Sequence, residues 1–166
     1  MTQHARELVE ALSDQEALLE RMLQVLDEER RCILGRELER LEQQVLQKKE
    51  LFLALEEEGV RCAKLVQAMA LELELPEAQS LTPVLEKVAE PEKGTILSWQ
   101  RRVLELGSQL EKRLALNADL LQGALQTVTG TLDFFARIFN NSNTYGYGGN
   151  LVGSGGAQPR IICREA

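Results

Sequence analysis

Aromatic side chains are scarce in this chain, which has one Trp, two Tyr and four Phe among 166 residues. Runs of β-branched residues are equally thin. With Leu, Glu, Gln, Ala and Arg dominant, the expected class is all-α. Basic charge is also short: 19 Lys and Arg stand against 26 Asp and Glu, for a net charge of −7. The basic residues are interleaved with Glu, so the positive stripe that a nucleic-acid backbone or an anionic membrane surface requires is missing. The single histidine, His4, argues against a His-based triad or a His-rich metal site. Three cysteines without paired spacing read as free thiols of a reducing compartment. Cys32 and Cys62 lie within apolar helical patterns and are expected to serve packing. Cys163 falls in the tail.

No apolar run approaches membrane-spanning length, and the first residues lack the basic-then-apolar layout of a signal peptide. A cytoplasmic location without stable membrane insertion is therefore expected. The glycines from Gly146 to Gly156 miss the dinucleotide spacing, and no lysine follows them. Carboxylate pairs abound, but on solvated helix faces they act as i,i+4 partners. No cofactor, metal or catalytic residue is expected, and the chain does not read as an enzyme.

What is abundant is heptad rhythm. Leu8, Leu12, Gln15, Leu19, Met22, Leu26, Glu29 and Ile33 step by alternating fours and threes, which predicts one helix over about 2–34. Gly35 suits a left-handed helix end, so a tight turn at Leu34-Gly35-Arg36 should fold the next helix back antiparallel. The second seam runs Leu38, Leu41, Val45, Lys48, Phe52, Leu55, Gly59, Cys62, Val66, Met69 and Leu73, predicting a helix over 36–75 that stops at Pro76. Pairing about Gly35 places Lys48 nearer Met22 than Glu29, so a buried Lys48–Glu29 ion pair is not expected. Thr82 as a hydroxyl cap with Pro83 following opens a connector helix over 82–89, which Pro91-Glu92-Lys93-Gly94 closes.

The last helix, over 95–139 with Thr95 as its cap, carries the seam Ile96, Trp99, Val103, Leu106, Leu110, Leu114, Asn117, Leu121, Ala124, Val128, Leu132, Phe135 and Phe139. It is predicted longer than either companion, so its end should overhang them. The expected architecture is an elongated antiparallel bundle or coiled coil of three long helices and one short connector, residues 1–139. A flexible, Gly-, Asn- and Ser-rich tail over 140–166 follows. Thr127-Val128-Thr129-Gly130-Thr131 is weak helix sequence, a candidate hinge or frayed segment.

Five of the seven aromatics lie between Thr131 and Asn150: Phe134, Phe135, Phe139, Tyr145 and Tyr147. Large aromatics dominate interface energetics. Three buried Phe supply roughly 5 to 9 kcal/mol gross, whereas association costs about 4 to 15 kcal/mol. The upstream aliphatics are therefore needed as well. The predicted partner surface is Leu121, Leu125, Val128, Leu132, Phe134, Phe135, Ile138 and Phe139, receiving an amphipathic helix; the alternative reading is that the three Phe, Phe135 and Phe139 above all, are ordinary core at the end of the helix.

The chain resembles the FlgN family of bacterial flagellar export chaperones. The likeness rests on Glu29-Arg30 near the end of the first helix, the turn before Leu38 to Leu41, and Gln47-Lys48-Lys49-Glu50-Leu51. It continues with Asn117 before Leu120-Leu121 and with the closing Thr144-Tyr145-Gly146. The resemblance implies binding of the C-terminal segment of hook-associated proteins, the hook–filament junction proteins, which keeps them from assembling prematurely. It also implies their delivery to export gate components, with Tyr145 matching a tyrosine implicated in gate docking and Tyr147 placed beside it. The sequence departs from the family pattern in Tyr147 and in the extra stretch 151–166. A different class of reading is a coiled-coil scaffold or adaptor that homo-oligomerises through its apolar seams, with the Phe stretch as the homodimer interface.

Overall fold

The computed structural model describes residues 3–75 and 80–142, with side chains through Phe139. Four helices appear in the order α1 (Gln3–Gly35), α2 (Leu38–Glu72), α3 (Leu81–Lys87) and α4 (Glu92–Ser142), and the described residues contain no strand. The protein is all-α, with three long helices and one short one. The chain divides into two compact units, one ending at Gln122 and one beginning at Gly123.

Within the first unit, cross-helix pairs fix the topology. His4 meets Glu72 at 2.6 Å and Asp14 meets Arg61 at 3.1 Å, so α1 and α2 form an antiparallel hairpin. Arg102 donates to Glu16 at 2.7 Å, and Asn117 donates to the carbonyl of Leu26 at 2.9 Å. Numbers rise together along this pair, so α4 runs parallel to α1, after α3 has returned the chain to the α1 start. One apolar cluster closes that end with Ala5, Leu8, Leu12, Met69, Ala70, Val84, Leu85 and Ile96. A second fills the middle with Leu19, Met22, Leu23, Val25, Leu26, Leu51, Leu106 and Leu110.

The α1 seam is buried as its spacing predicts, at Leu8, Leu12, Leu19, Met22 and Leu26. Ala11, Leu23 and Val25 are buried beside it, because α1 touches neighbours on two sides and needs a wider apolar face.

The α2 seam is where sequence and structure part. Only Leu51, Met69 and Ala70 are buried in α2, while its seam residues Leu38, Val45 and Phe52 are exposed. Leu51, Phe52 and Leu53 are consecutive, and a helix apolar on adjacent faces leaves periodicity unable to choose between them.

The turn also departs from expectation. Gly35 remains helical, and the left-handed residue is Arg36, with φ 57°. The amide of Glu37 donates to the Cys32 carbonyl at 3.0 Å and that of Arg36 to Ile33 at 3.3 Å, the pairing of a Schellman end. The same motif ends α2, with Glu74 at φ 58° and the Leu75 amide bonded to the Ala70 carbonyl at 2.8 Å.

The remaining boundaries shift for simple reasons. The α3 cap position is Ser80, without a side-chain cap bond, instead of Thr82. Pro83 then lies in the first turn, where amides have no intrahelical acceptor and a missing N–H is tolerated. Glu92 to Gly94 form the first turn of α4 rather than a break before a Thr95 cap. There the Gly94 amide donates to Glu90 Oε2 at 3.2 Å and the Thr95 amide to the Pro91 carbonyl at 3.2 Å.

Candidate functional site

Along α4 a single seam passes from covered to uncovered. Ile96, Leu106, Leu110 and Asn117 are buried, whereas Leu121 is exposed, at the end of the first unit. The last covered position is held by polar contacts. Asn117 Nδ2 donates to the Leu26 carbonyl and, at 2.8 Å, to Glu29 Oε2. The other carboxylate oxygen of Glu29 accepts from Lys48 Nζ, and Glu29 itself is 0% exposed. One carboxylate thus ties α1 to α2 through one oxygen and to α4 through the other. The Lys48–Glu29 ion pair is therefore present, contrary to the expectation from the sequence. The hairpin register seen at Asp14–Arg61 and His4–Glu72 brings Lys48 within about one helical turn of Glu29, and its long stem covers the rest. No buried side-chain nitrogen or oxygen among the described residues lacks a hydrogen-bond partner.

The second unit, as far as it is described, is helix over Gly123 to Ser142. The stretch Thr127 to Thr131 is helical, without a break at Gly130. Its hydroxyls bond back to carbonyls four residues earlier: Thr127 to Gly123 at 3.0 Å, Thr129 to Leu125 at 3.0 Å and Thr131 to Thr127 at 2.8 Å. Leu125, Val128, Leu132, Phe135 and Phe139 follow at heptad spacing, and all five are exposed, Phe139 at 67%. Phe134 and Ile138, also exposed, widen the face on one side.

The rings support one another. Phe134 and Phe135 meet edge to face with centroids 5.9 Å apart, and Phe135 and Phe139 lie 6.5 Å apart. Such contacts prearrange the rings in water instead of leaving them independent. Tyr145 and Tyr147 lie outside the described residues.

A family model described as FlgN protein matches residues 1–153. The chain belongs to the FlgN family. No curated protein and no solved structure gives a significant match. Membership in FlgN implies a flagellar export chaperone, of a chaperone family and not an enzyme family, and points to flagellar proteins as partners. Among the described residues, no helix of this family member is long and apolar enough to cross a membrane. No three His, Cys, Asp or Glu side chains among them are grouped to hold a metal ion. The α2 face carrying Val45, Phe52, Leu53 and Val60, all exposed, is a surface the seam analysis missed. The three consecutive apolar residues at 51–53 were the available signal that α2 has two faces to cover.

Proposed function

We propose that this protein binds the C-terminal helical segment of hook-associated proteins through α4, prevents their premature assembly in the cytoplasm and delivers them to the export gate. The observation carrying the reading is the fate of the α4 seam. Its heptad rhythm continues past Asn117, but its residues from Leu121 to Phe139 face solvent. Exposed aliphatic and aromatic residues at this spacing suit a partner's amphipathic helix. The contact surface is Leu121, Leu125, Val128, Leu132, Phe134, Phe135, Ile138 and Phe139. Burying the Phe rings alone barely matches the cost of association, so the upstream aliphatics share the load. Tyr145 and Tyr147 make the gate contact.

The test is capture of a hook-associated protein by the variant F134S/F135S/F139S, with far-UV circular dichroism measured in parallel. Loss of capture at unchanged helicity is expected. Capture at the natural level by a helical variant overturns the assignment of the site.

A further inference from the structure

On the solvent side of α2, Val45, Lys49, Phe52, Leu53, Glu56 and Val60 are all exposed. At 100° per residue they fall within about 100° of arc, one face of the helix. Their order is symmetric about the midpoint between Phe52 and Leu53: an apolar residue, a cation, two apolar residues, an anion and an apolar residue. Among the described residues, neither Lys49 nor Glu56 makes a hydrogen bond or an ion pair. Seven positions apart on one helix, they do not reach each other.

All of this face but Val60 forms the α2 wall of an open cleft of about 940 Å³, lined also by Leu19 of α1 and by Val103, Leu104 and Gly107 of α4. A Cβ built at Gly107 meets nothing within 4 Å, so this mid-helix glycine fills no packing need within the chain. It leaves room for a bulky side chain from outside.

We propose that this α2 face is the interface of a two-fold dimer with a second copy of the chain, the two α2 helices antiparallel. The charge pattern selects this occupant. Turning a second copy end for end about the 52/53 midpoint sets Lys49 against the partner's Glu56 and Glu56 against the partner's Lys49. It sets Val45 against the partner's Val60 and places the two Phe52 rings at the clefts around the axis. Only an isologous, antiparallel pairing satisfies both charges at once. A parallel pairing sets Lys49 against the partner's Lys49, which is repulsive.

The experiment is sedimentation equilibrium of the full chain and three charge variants. The natural chain is expected to dimerise. Lys49→Glu and Glu56→Lys each place two like-charge contacts across the axis and are expected to raise the dimer dissociation constant at least about tenfold. The exchange K49E/E56K restores opposite charges and should recover the dimer. Phe135→Ser, on the other exposed stripe, should leave it unchanged, which separates this interface from cargo capture. A chain that stays monomeric at 100-fold over its working concentration overturns the proposal. So does a dimer indifferent to both single changes, or one that the double exchange fails to recover.

Discussion

Glu29 and Asn117, 88 positions apart in sequence, are joined by a 2.8 Å hydrogen bond in the interior, and both are almost wholly withdrawn from solvent. Removing one member of such a network leaves the others desolvated and unpaired. Glu29→Ala should therefore destabilise the protein by about 3 kcal/mol, and Asn117→Ala by about 2 kcal/mol. The double variant should cost less than the two added together. Urea unfolding of the four proteins closes the cycle, and strict additivity would mean that the bond contributes nothing of its own. Replacing the whole set, E29L/K48M/N117L, should return stability to within about 1 kcal/mol of the natural chain, since a well-packed apolar substitute removes the desolvation cost.

Arg36 holds a left-handed backbone at φ 57°. A residue with a Cβ is strained there, so Arg36→Gly should stabilise the hairpin by about 1 kcal/mol. The neighbouring Gly35→Ala should gain little, because a Cβ there meets Glu37 Oε1 at 3.0 Å. Thermal unfolding of the two variants should move in this unequal way.

Gly130 sits in open space, with nothing within 4 Å of a built Cβ. Gly130→Ala should strengthen the local helix by about 1 kcal/mol. Slower amide hydrogen exchange between Gly123 and Phe139 would report it, while exchange in α1 stays as before.

Burial pushes the Cys62 thiol up, and nearby Glu58 adds to the effect while Arg61 opposes it. Cys62 should therefore alkylate more slowly than a free thiol at neutral pH, as followed by mass spectrometry of the labelled peptide. The sign for stability is fixed as well. Above the ordinary thiol value of 9.0 the unfolded chain gives up this proton while the folded chain keeps it. Stability is thus unaffected by this group below that pH and declines as pH rises through it.

Much of this was legible in the sequence, and the exceptions have physical causes. The α1 seam could be read residue by residue because its polar face is continuous and only one register buries Leu8 through Leu26. Asn117 and Glu29 stood out as polar members of apolar seams, but their partnership did not, because the parallel register of α1 and α4 depends on the return through α3. The inward face of α2 was ambiguous at Leu51, Phe52 and Leu53, where local pattern supports two answers and only neighbouring helices decide. The same limit hid the Lys48–Glu29 pair, which depends on the hairpin register seen at His4–Glu72 and Asp14–Arg61 and not on pairing about Gly35. In the candidate site, the stripe from Leu125 to Phe139 was found by spacing and aromatic content, but whether it was covered is a three-dimensional fact.

The hydroxyl protons of Thr127, Thr129 and Thr131 are each already occupied by a carbonyl of their own helix. A segment arriving along this stretch finds methyl groups and rings but few unused donors demanding a particular mate. If the proposed partner helix docks there, its selection would rest on girth and greasiness more than on polar lettering, and the surface would be forgiving of differing side chains in whatever lies against it.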